Sequence, residues 1–240
     1  MSVARGPVIS ASSRTPPQWA SVLDALAGAV FGDARGEERI APLLARWEGQ
    51  VGPLREEDPE HATMQAVRVD WALCDAAVDY PGDTWAWRAA QGAIPGVQRT
   101  AAIGAVARSI SGLWRVTPGR RPWLSDCLSG VGVELASPIR LPNAGGEPLL
   151  WDARIVVMDG AAELCRPPLT YPGVVLSEIR RRGLLRLKQP TGVDPDGARV
   201  DEASRHSTLL QLRRRWLHCA RAPRADPLLL FTHGTVARRS

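Results

Sequence analysis

Lysine is almost absent from this sequence, although the chain is basic. Lys188 is the only lysine among 30 basic residues, and all the others are arginine. Tyrosine and phenylalanine are also scarce, at two each, whereas tryptophan occurs nine times. Together with many alanines, glycines and prolines, this bias is typical of a GC-rich bacterial genome. The arginine content by itself is therefore weak support for phosphate binding.

Long apolar segments are also missing. No apolar run approaches the roughly 18 residues that cross a bilayer, and the polar residues 1–15 lack the apolar core of a signal peptide. The four cysteines are scattered and form no C-x-x-C pair, as expected for thiols in a reducing compartment. We therefore expect a cytoplasmic protein that does not associate with membranes.

The motifs of common enzyme classes are absent as well. The sequence contains no Gly-x-Ser-x-Gly elbow, no phosphate-binding loop and no dinucleotide fingerprint. Its four histidines show no i, i+4 pairing, and no cysteine lies at zinc-ligand spacing. Asp194-Pro195-Asp196-Gly197 lacks the further ligands of a calcium loop and is interpreted as a turn. Neither a metal ion nor another cofactor is predicted.

What the sequence does contain is a strong separation of charge. Residues 172–240 carry fourteen Arg and Lys against six Asp and Glu, whereas residues 1–171 carry sixteen against nineteen. Positive charge concentrated at one end attracts phosphates, acidic proteins or anionic lipid. The charge separation predicts a binding surface in the C-terminal third.

The hydrophobic pattern divides the chain into four parts. Residues 1–16 are rich in Ser, Gly and Pro and are predicted to form a disordered arm. Residues 17–111 show helical periodicity, residues 112–171 show short alternating segments, and residues 172–240 are basic and again helical. The predicted fold class is α+β, with a helical N-terminal half, a small antiparallel β-module and a basic helical C-terminal segment.

Two segments give the clearest structural predictions. One helix is expected to start at an Asp58 N-cap and to bury an apolar stripe, which consists of Met64, Val67, Trp71, Cys74 and Val78. A strand over residues 149–158 is expected to alternate, with Ala153, Ile155 and Val157 buried and with Asp152 and Arg154 exposed. Asp159-Gly160 supplies a two-residue turn after it.

Short segments between residues 107 and 171 form a recognisable set. They are Ala107-Arg108-Ser109, Gly112-Leu113-Trp114-Arg115-Val116, Leu124-Ser125-Asp126-Cys127-Leu128-Ser129-Gly130, Asp152-Ala153-Arg154-Ile155-Val156 and Asp159-Gly160. This set resembles a small β-module of poorly characterised bacterial proteins, some of which carry SEC-C-type metal-binding tails. The resemblance implies a fold fragment rather than an activity, because this sequence lacks the cysteine-rich tail.

Two arginine clusters are the candidate anion-binding residues. Arginine side chains grip phosphates with two parallel hydrogen bonds. The alternative interpretation is a solvated helix face, since three consecutive helical residues cannot share one side. The candidates are Arg180, Arg181, Arg182, Arg186 and Lys188 in the first cluster, and Arg213, Arg214 and Arg215 in the second.

Carboxylates of the β-module offer a catalytic alternative. Asp126, Asp152 and Asp159 are the residues that a metal-dependent hydrolase or nuclease would use to hold a metal ion and activate water. The competing interpretation is that Asp152 pairs with Arg154 on an open sheet face and that Asp159 is a turn residue.

Trp85 and Trp87 lie two residues apart on a predicted short helix, so they point to different sides. An exposed tryptophan is a candidate anchor for a protein partner, whereas burial of both side chains is the alternative.

The leading functional hypothesis is a non-enzymatic binding or adaptor protein that acts through its basic C-terminal surface. Its expected partner is an acidic protein or a nucleic acid. The hydrolase or nuclease is the runner-up.

Overall fold

Helical periodicity in the N-terminal half produces five of the α-helices in the computed structural model, which describes residues 19–128, 131–137, 149–171 and 195–221. The sixth described helix belongs to the C-terminal part. The helices are α1 (Trp19–Phe31), α2 (Gly36–Val51), α3 (His61–Cys74), α4 (Trp85–Ala90), α5 (Ala101–Ala107) and α6 (Pro195–Ala220). The arm predicted for residues 1–16 lies outside the described residues.

The start of α3 differs from the prediction. The helix begins at His61, and Glu60 precedes it with a φ of 57°. Asp58 is not the N-cap, because its carboxylate accepts hydrogen bonds from the backbone N–H of Arg55 and from the guanidinium of Arg221. Of the predicted apolar stripe, Met64, Trp71 and Cys74 are buried, whereas Val67 and Val78 are half-buried and Val78 lies beyond the end of the helix.

Thr84 and Thr100 begin the two short helices that follow. The Thr84 hydroxyl accepts a hydrogen bond from the backbone N–H of Trp87, and the Thr100 hydroxyl accepts one from that of Ile103. Each bond satisfies a donor that the first helical turn leaves free. These caps explain why helices of six and seven residues form here.

The alternating segments form one antiparallel sheet. Its strands are β1 (Ile110–Thr117), β2 (Trp123–Asp126), β3 (Gly132–Glu134), β4 (Leu149–Met158), β5 (Ala161–Leu164) and β6 (Leu169–Tyr171). The order is β3-β2-β1-β4-β5, and β6 pairs with β4 beside β5. A bridge between Leu135 and Ala162 joins the two edges. The sheet is therefore curled, and the α+β prediction is confirmed.

Apolar side chains fill the inner face of the curled sheet. The buried residues of this cluster include Trp114, Val116 and Leu124 from β1 and β2, and Trp151 and Ile155 from β4. The Asp159-Gly160 turn between β4 and β5 has positive φ at both positions, 52° and 76°. This geometry suits a tight hairpin and confirms the turn prediction.

The predicted exposure pattern of β4 is wrong on three counts. Asp152 and Arg154 are buried, and Val157 is 51% exposed. Alternation itself holds, because Trp151, Ala153 and Ile155 line the inner face. Around Asp152 and Arg154 the outer face is not open to water, since helices cover it there. Val157 is exposed because it lies near the end of the strand.

Helix α6 joins the sheet to the N-terminal helices. Its buried Leu210 and Leu217 share a core cluster with Trp47 of α2, Trp71 of α3 and Leu169 of β6. Asp152 and Arg154 of β4 therefore meet side chains from α6 and from the end of α3 in a closed layer. Across the described ranges, no helix has both the length and the apolar character needed to cross a membrane.

Candidate functional site

Asp152 and Arg213 form the most buried ion pair at the contact between the sheet and the helices. The Nε and Nη2 atoms of Arg213 donate to the two Asp152 oxygens at 2.7 and 2.8 Å. Their side chains are only 2% and 1% exposed. The Tyr171 hydroxyl also donates to Asp152, at 3.4 Å, and Trp47 packs against the guanidinium, 5.3 Å from its ring centre. Two opposite charges thus satisfy each other inside the protein.

Arg154 is paired with Asp75, which follows α3. The guanidinium donates to Asp75 and, at 2.9 Å, to the hydroxyl of Ser109. His206 of α6 lies 3.5 Å from the other Asp75 oxygen. Burial alone raises the pKa of Asp75, but the charge of the neighbouring Arg154 and its hydrogen bond outweigh it, and the pKa lies below its ordinary value. Asp75 is therefore a carboxylate anchored between the sheet and α6.

Asp70 of α3 lines a small polar cavity beside these pairs. Arg166 donates to one Asp70 oxygen at 2.8 Å and to Asp24 at 2.6 Å. The other Asp70 oxygen and the Nε of Arg154 have no hydrogen-bond partner in the part of the chain that the structure describes. Burial raises the pKa of Asp70 above its ordinary value. The cavity holds about 20 Å³, which fits water rather than an organic substrate.

Two further ion pairs involve Arg205 in the middle of α6 and Arg221, which directly follows the helix. Arg205 lies 3.6 Å from Asp126, and Arg221 donates to both oxygens of Asp58 at 2.7 Å. With Arg213 and His206, they direct four basic side chains of the C-terminal region toward carboxylates of the preceding part. The charge separation along the sequence is thus partly an internal complementarity between α6 and the rest of the fold.

The second predicted arginine cluster does not form one surface. Arg213 is buried, Arg214 is exposed and Arg215 is half-buried, because consecutive helical residues point about 100° apart. Arg213 is not available to an external anion, since Asp152 already neutralises it. Arg180, Arg181, Arg182, Arg186 and Lys188 lie outside the described residues.

The three candidate catalytic carboxylates occupy different environments. Asp126 accepts the backbone N–H of Leu128 at 3.2 Å and faces Arg205, while Asp152 is held by Arg213. The competing interpretation predicted a pair between Asp152 and Arg154, but Asp152 pairs with Arg213 instead. Asp159 is an exposed turn residue. Within the described ranges, no three His, Cys, Asp or Glu side chains are grouped as metal ligands. A hydrolytic role for these residues stays a prediction.

Trp85 and Trp87 do point to different sides of α4. Trp85 is half-buried, with Phe31 edge-on at 6.4 Å and the guanidinium of Arg88 5.3 Å from its ring centre. Trp87 is 41% exposed. Of this pair, Trp87 has the more exposed ring.

The β1–β2 hairpin carries an exposed group of basic and aromatic side chains that the sequence analysis missed. Arg115, Arg120 and Arg121 are exposed, and Trp123 is 47% exposed. None of the three arginines forms an ion pair within the described ranges. We call these four residues the basic hairpin. A signal is present in the sequence, since Trp123 follows Arg120 and Arg121 at a turn, but this segment is much less basic than the C-terminal third.

The pairing of the strands places members of the basic hairpin on one outer face. Arg115 pairs with Ser125, and Thr117 pairs with Trp123. Paired residues point to the same side of a sheet, as do residues two apart. Arg115 and Trp123 are therefore diagonal neighbours, with Arg120 and Arg121 in the turn beyond them.

Comparisons with protein-family models, with curated proteins and with solved structures found no match for this chain.

Proposed function

We propose that this chain is a non-enzymatic binding protein whose partner is a polyanion. The observation that carries the proposal is the division of the arginines into two groups. Arg154, Arg213 and Arg221 are held by internal carboxylates, whereas the arginines of the basic hairpin are exposed and pair with no carboxylate among the described residues. Exposed guanidinium groups without internal carboxylates bind phosphates or external carboxylates.

The proposal relocates the binding surface that the sequence favoured. The C-terminal surface keeps Arg214, which is exposed on α6, and the predicted arginines outside the described residues. The C-terminal surface does not include Arg213. If Arg213 turned outward to bind a ligand, the Asp152 carboxylate would stay buried without a partner charge, and the fold would be destabilised. The basic hairpin supplies the missing surface with three positive charges.

A role as a binding protein also fits the state of the candidate catalytic groups. Asp152 already accepts hydrogen bonds from Arg213 and Tyr171, and Asp126 accepts from the backbone and faces Arg205. Both carboxylates therefore already have partners within the fold, as buried structural carboxylates do.

The test is a salt series of binding measurements on the full chain. Fluorescence anisotropy would follow a labelled oligonucleotide and labelled heparin from low to physiological salt. We expect binding that weakens steeply with salt, with a slope that falls by about 1.4 in the double variant Arg120→Gln/Arg121→Gln if each lost contact contributes roughly 0.7 on a single strand.

The matched control is Arg35→Gln/Arg108→Gln, which removes two exposed charges elsewhere. Arg108 precedes the start of β1, whereas the basic hairpin lies at the other end of that strand. The control should keep the wild-type slope. Absence of binding to every polyanion at low salt would contradict the proposal. If the chain bound only an acidic protein, it would still be a binding protein, but nucleic acid would be excluded as its partner.

A further inference from the structure

We infer that the basic hairpin is a site for single-stranded nucleic acid, in which a base stacks on Trp123 while Arg115, Arg120 and Arg121 contact the phosphates. The inference rests on the proposed function and names its ligand. The distinguishing feature is the juxtaposition of three exposed arginines, which form no ion pair within the described ranges, with a tryptophan whose ring is held against the sheet.

Trp123 is held in place by two contacts. Its indole N–H donates to the Ser125 hydroxyl at 3.1 Å. Its six-membered ring lies over Gly132 of β3, so closely that a Cβ atom there would come within 2.3 Å of the ring. The ring therefore lies against the backbone of β3, and 47% of the residue remains exposed. A base would stack on the outward face at little ordering cost, because the ring is already oriented.

The arginines surround this ring at distances that a short strand can bridge. Arg115 is the diagonal neighbour of Trp123 across β1 and β2, and such neighbours lie about 7–8 Å apart. Arg120 and Arg121 precede Trp123 in the turn. Backbone contacts around a stacked base are the arrangement that proteins use to bind single strands without sequence preference.

One opposing charge lies on the same face. Glu134 of β3 pairs directly with Trp123 and is exposed. Glu134 repels phosphates and therefore offsets part of the attraction that the three arginines of the basic hairpin exert. Glu134→Gln should therefore strengthen binding, a gain that general loss of structure cannot produce.

An exposed aromatic ring favours a single strand over the other polyanions. In a duplex the bases are already stacked on one another, so the outward face of Trp123 has no base to bind. An acidic peptide would contact the arginines, but it has no nucleobase that could stack on Trp123. Dependence of the affinity on the bases is therefore the signature of this site.

The experiment compares two ligands of equal charge on the full chain. A thymidine oligonucleotide of about 12 nucleotides falls within the usual site sizes, and an abasic strand of the same length carries the same phosphates without bases. Trp123→Ala should weaken thymidine binding about tenfold, because stacking on an aromatic residue accounts for an effect of this order. Its affinity for the abasic strand should stay unchanged.

Trp87→Ala is the matched control, since Trp87 is the comparably exposed tryptophan of α4. It should bind both ligands as the wild type does. Because Trp123 also covers Gly132, Trp123→Leu and Trp123→Phe accompany the alanine variant. Leucine keeps an apolar cover and should lose the preference for bases, whereas phenylalanine keeps a ring and should retain most of it.

Equal affinity of the wild type for the thymidine and abasic strands would overturn stacking while leaving polyanion binding intact. A Trp123→Leu variant with wild-type preference for thymidine would overturn the assignment to Trp123. Tighter binding of a duplex, or of polyglutamate, than of the thymidine strand would overturn single-stranded nucleic acid as the ligand. Failure to bind any of these ligands would overturn the proposed function as well.

Discussion

Arg213 and Arg214 follow one another on α6, yet Arg213 is buried against Asp152 while Arg214 is exposed. A removed charge therefore has opposite consequences at the two positions. Loss of the Arg213 guanidinium leaves the Asp152 carboxylate buried without compensation, and this is among the most costly single changes in a protein. Loss of Arg214 removes a solvated charge.

The first prediction concerns this pair of residues. Arg213→Gln should lower the free energy of unfolding by about 3–5 kcal/mol, the usual cost of breaking a buried ion pair. Arg214→Gln should change it by less than about 0.5 kcal/mol, as surface substitutions do. Urea denaturation of the two variants measures both values. Equal stability of the two variants would show that Arg213 is not the partner of Asp152.

For individual polar residues, prediction from the sequence was limited because their ion-pair partners lie far away along the chain. The pattern of β4 shows that Asp152 and Arg154 share a face, but not what covers that face. Arg213 lies 61 residues beyond Asp152, and Asp75 lies 79 residues before Arg154. No local spacing rule links such positions, so an open face and a direct Asp152–Arg154 pair were the natural expectation.

At the scale of elements, α6 is fixed to the rest of the fold by ion pairs along its length. Arg205 and His206 lie in its middle, Arg213 lies toward its C-terminal end, and Arg221 directly follows it. Apolar contacts of Leu210 and Leu217 supply the rest of the interface. The docking of α6 should therefore respond to the protonation of the carboxylates that it meets.

The second prediction follows from Asp58. Its hydrogen bonds from Arg221 hold its pKa below the ordinary value of 3.8. The carboxylate therefore stabilises the fold above that pH, and the contribution disappears as the pH falls through the lowered pKa. Arg221→Gln should melt at a lower temperature than the wild type at neutral pH, and the difference should shrink near pH 3, below that ordinary value.

Thermal melts between neutral and acidic pH measure this difference. Arg35→Gln is the control, because Arg35 is exposed at the start of α2, and it should show no such dependence on pH. A constant difference between Arg221→Gln and the wild type across this range would mean that the ion pair with Asp58 does not stabilise the docking of α6.

Prediction from sequence was most successful for elements with a strong internal period. The stripe through Met64 and Trp71 identified α3, and the Asp159-Gly160 turn identified the β4–β5 hairpin. The start of α3 was misplaced, since a local rule assigned Asp58 to the helix whereas Arg221, 163 residues later, binds its carboxylate. Local chemistry specifies an element, but a long-range partner decides where a polar side chain is used.

At the scale of the whole molecule, the charge separation has two separable meanings. Part of it joins the basic α6 to acidic residues of the preceding chain, which is a structural use of charge. Another part concerns surface arginines, which the sequence placed in the C-terminal third and which the structure also places on the basic hairpin. The sequence could not separate these uses, because it does not show which arginines meet a carboxylate in the folded chain and which stay on the surface.

The basic hairpin was not predicted for a related physical reason. Its four residues are ordinary in isolation, and its coherence depends on the pairing of Arg115 with Ser125 and of Thr117 with Trp123. The glycine that supports the Trp123 ring, Gly132, comes from a third strand. The site therefore exists only once three strands are in register.

Hydrogen–deuterium exchange of the full chain, with and without the thymidine oligonucleotide, tests most directly whether the basic hairpin binds a single strand. We predict slower exchange of backbone amides from Arg115 to Trp123, with unchanged exchange in the described part of α6, since that helix already makes its ion pairs in the free protein. Slower exchange confined to α6, with no change in the β1–β2 hairpin, would contradict the account.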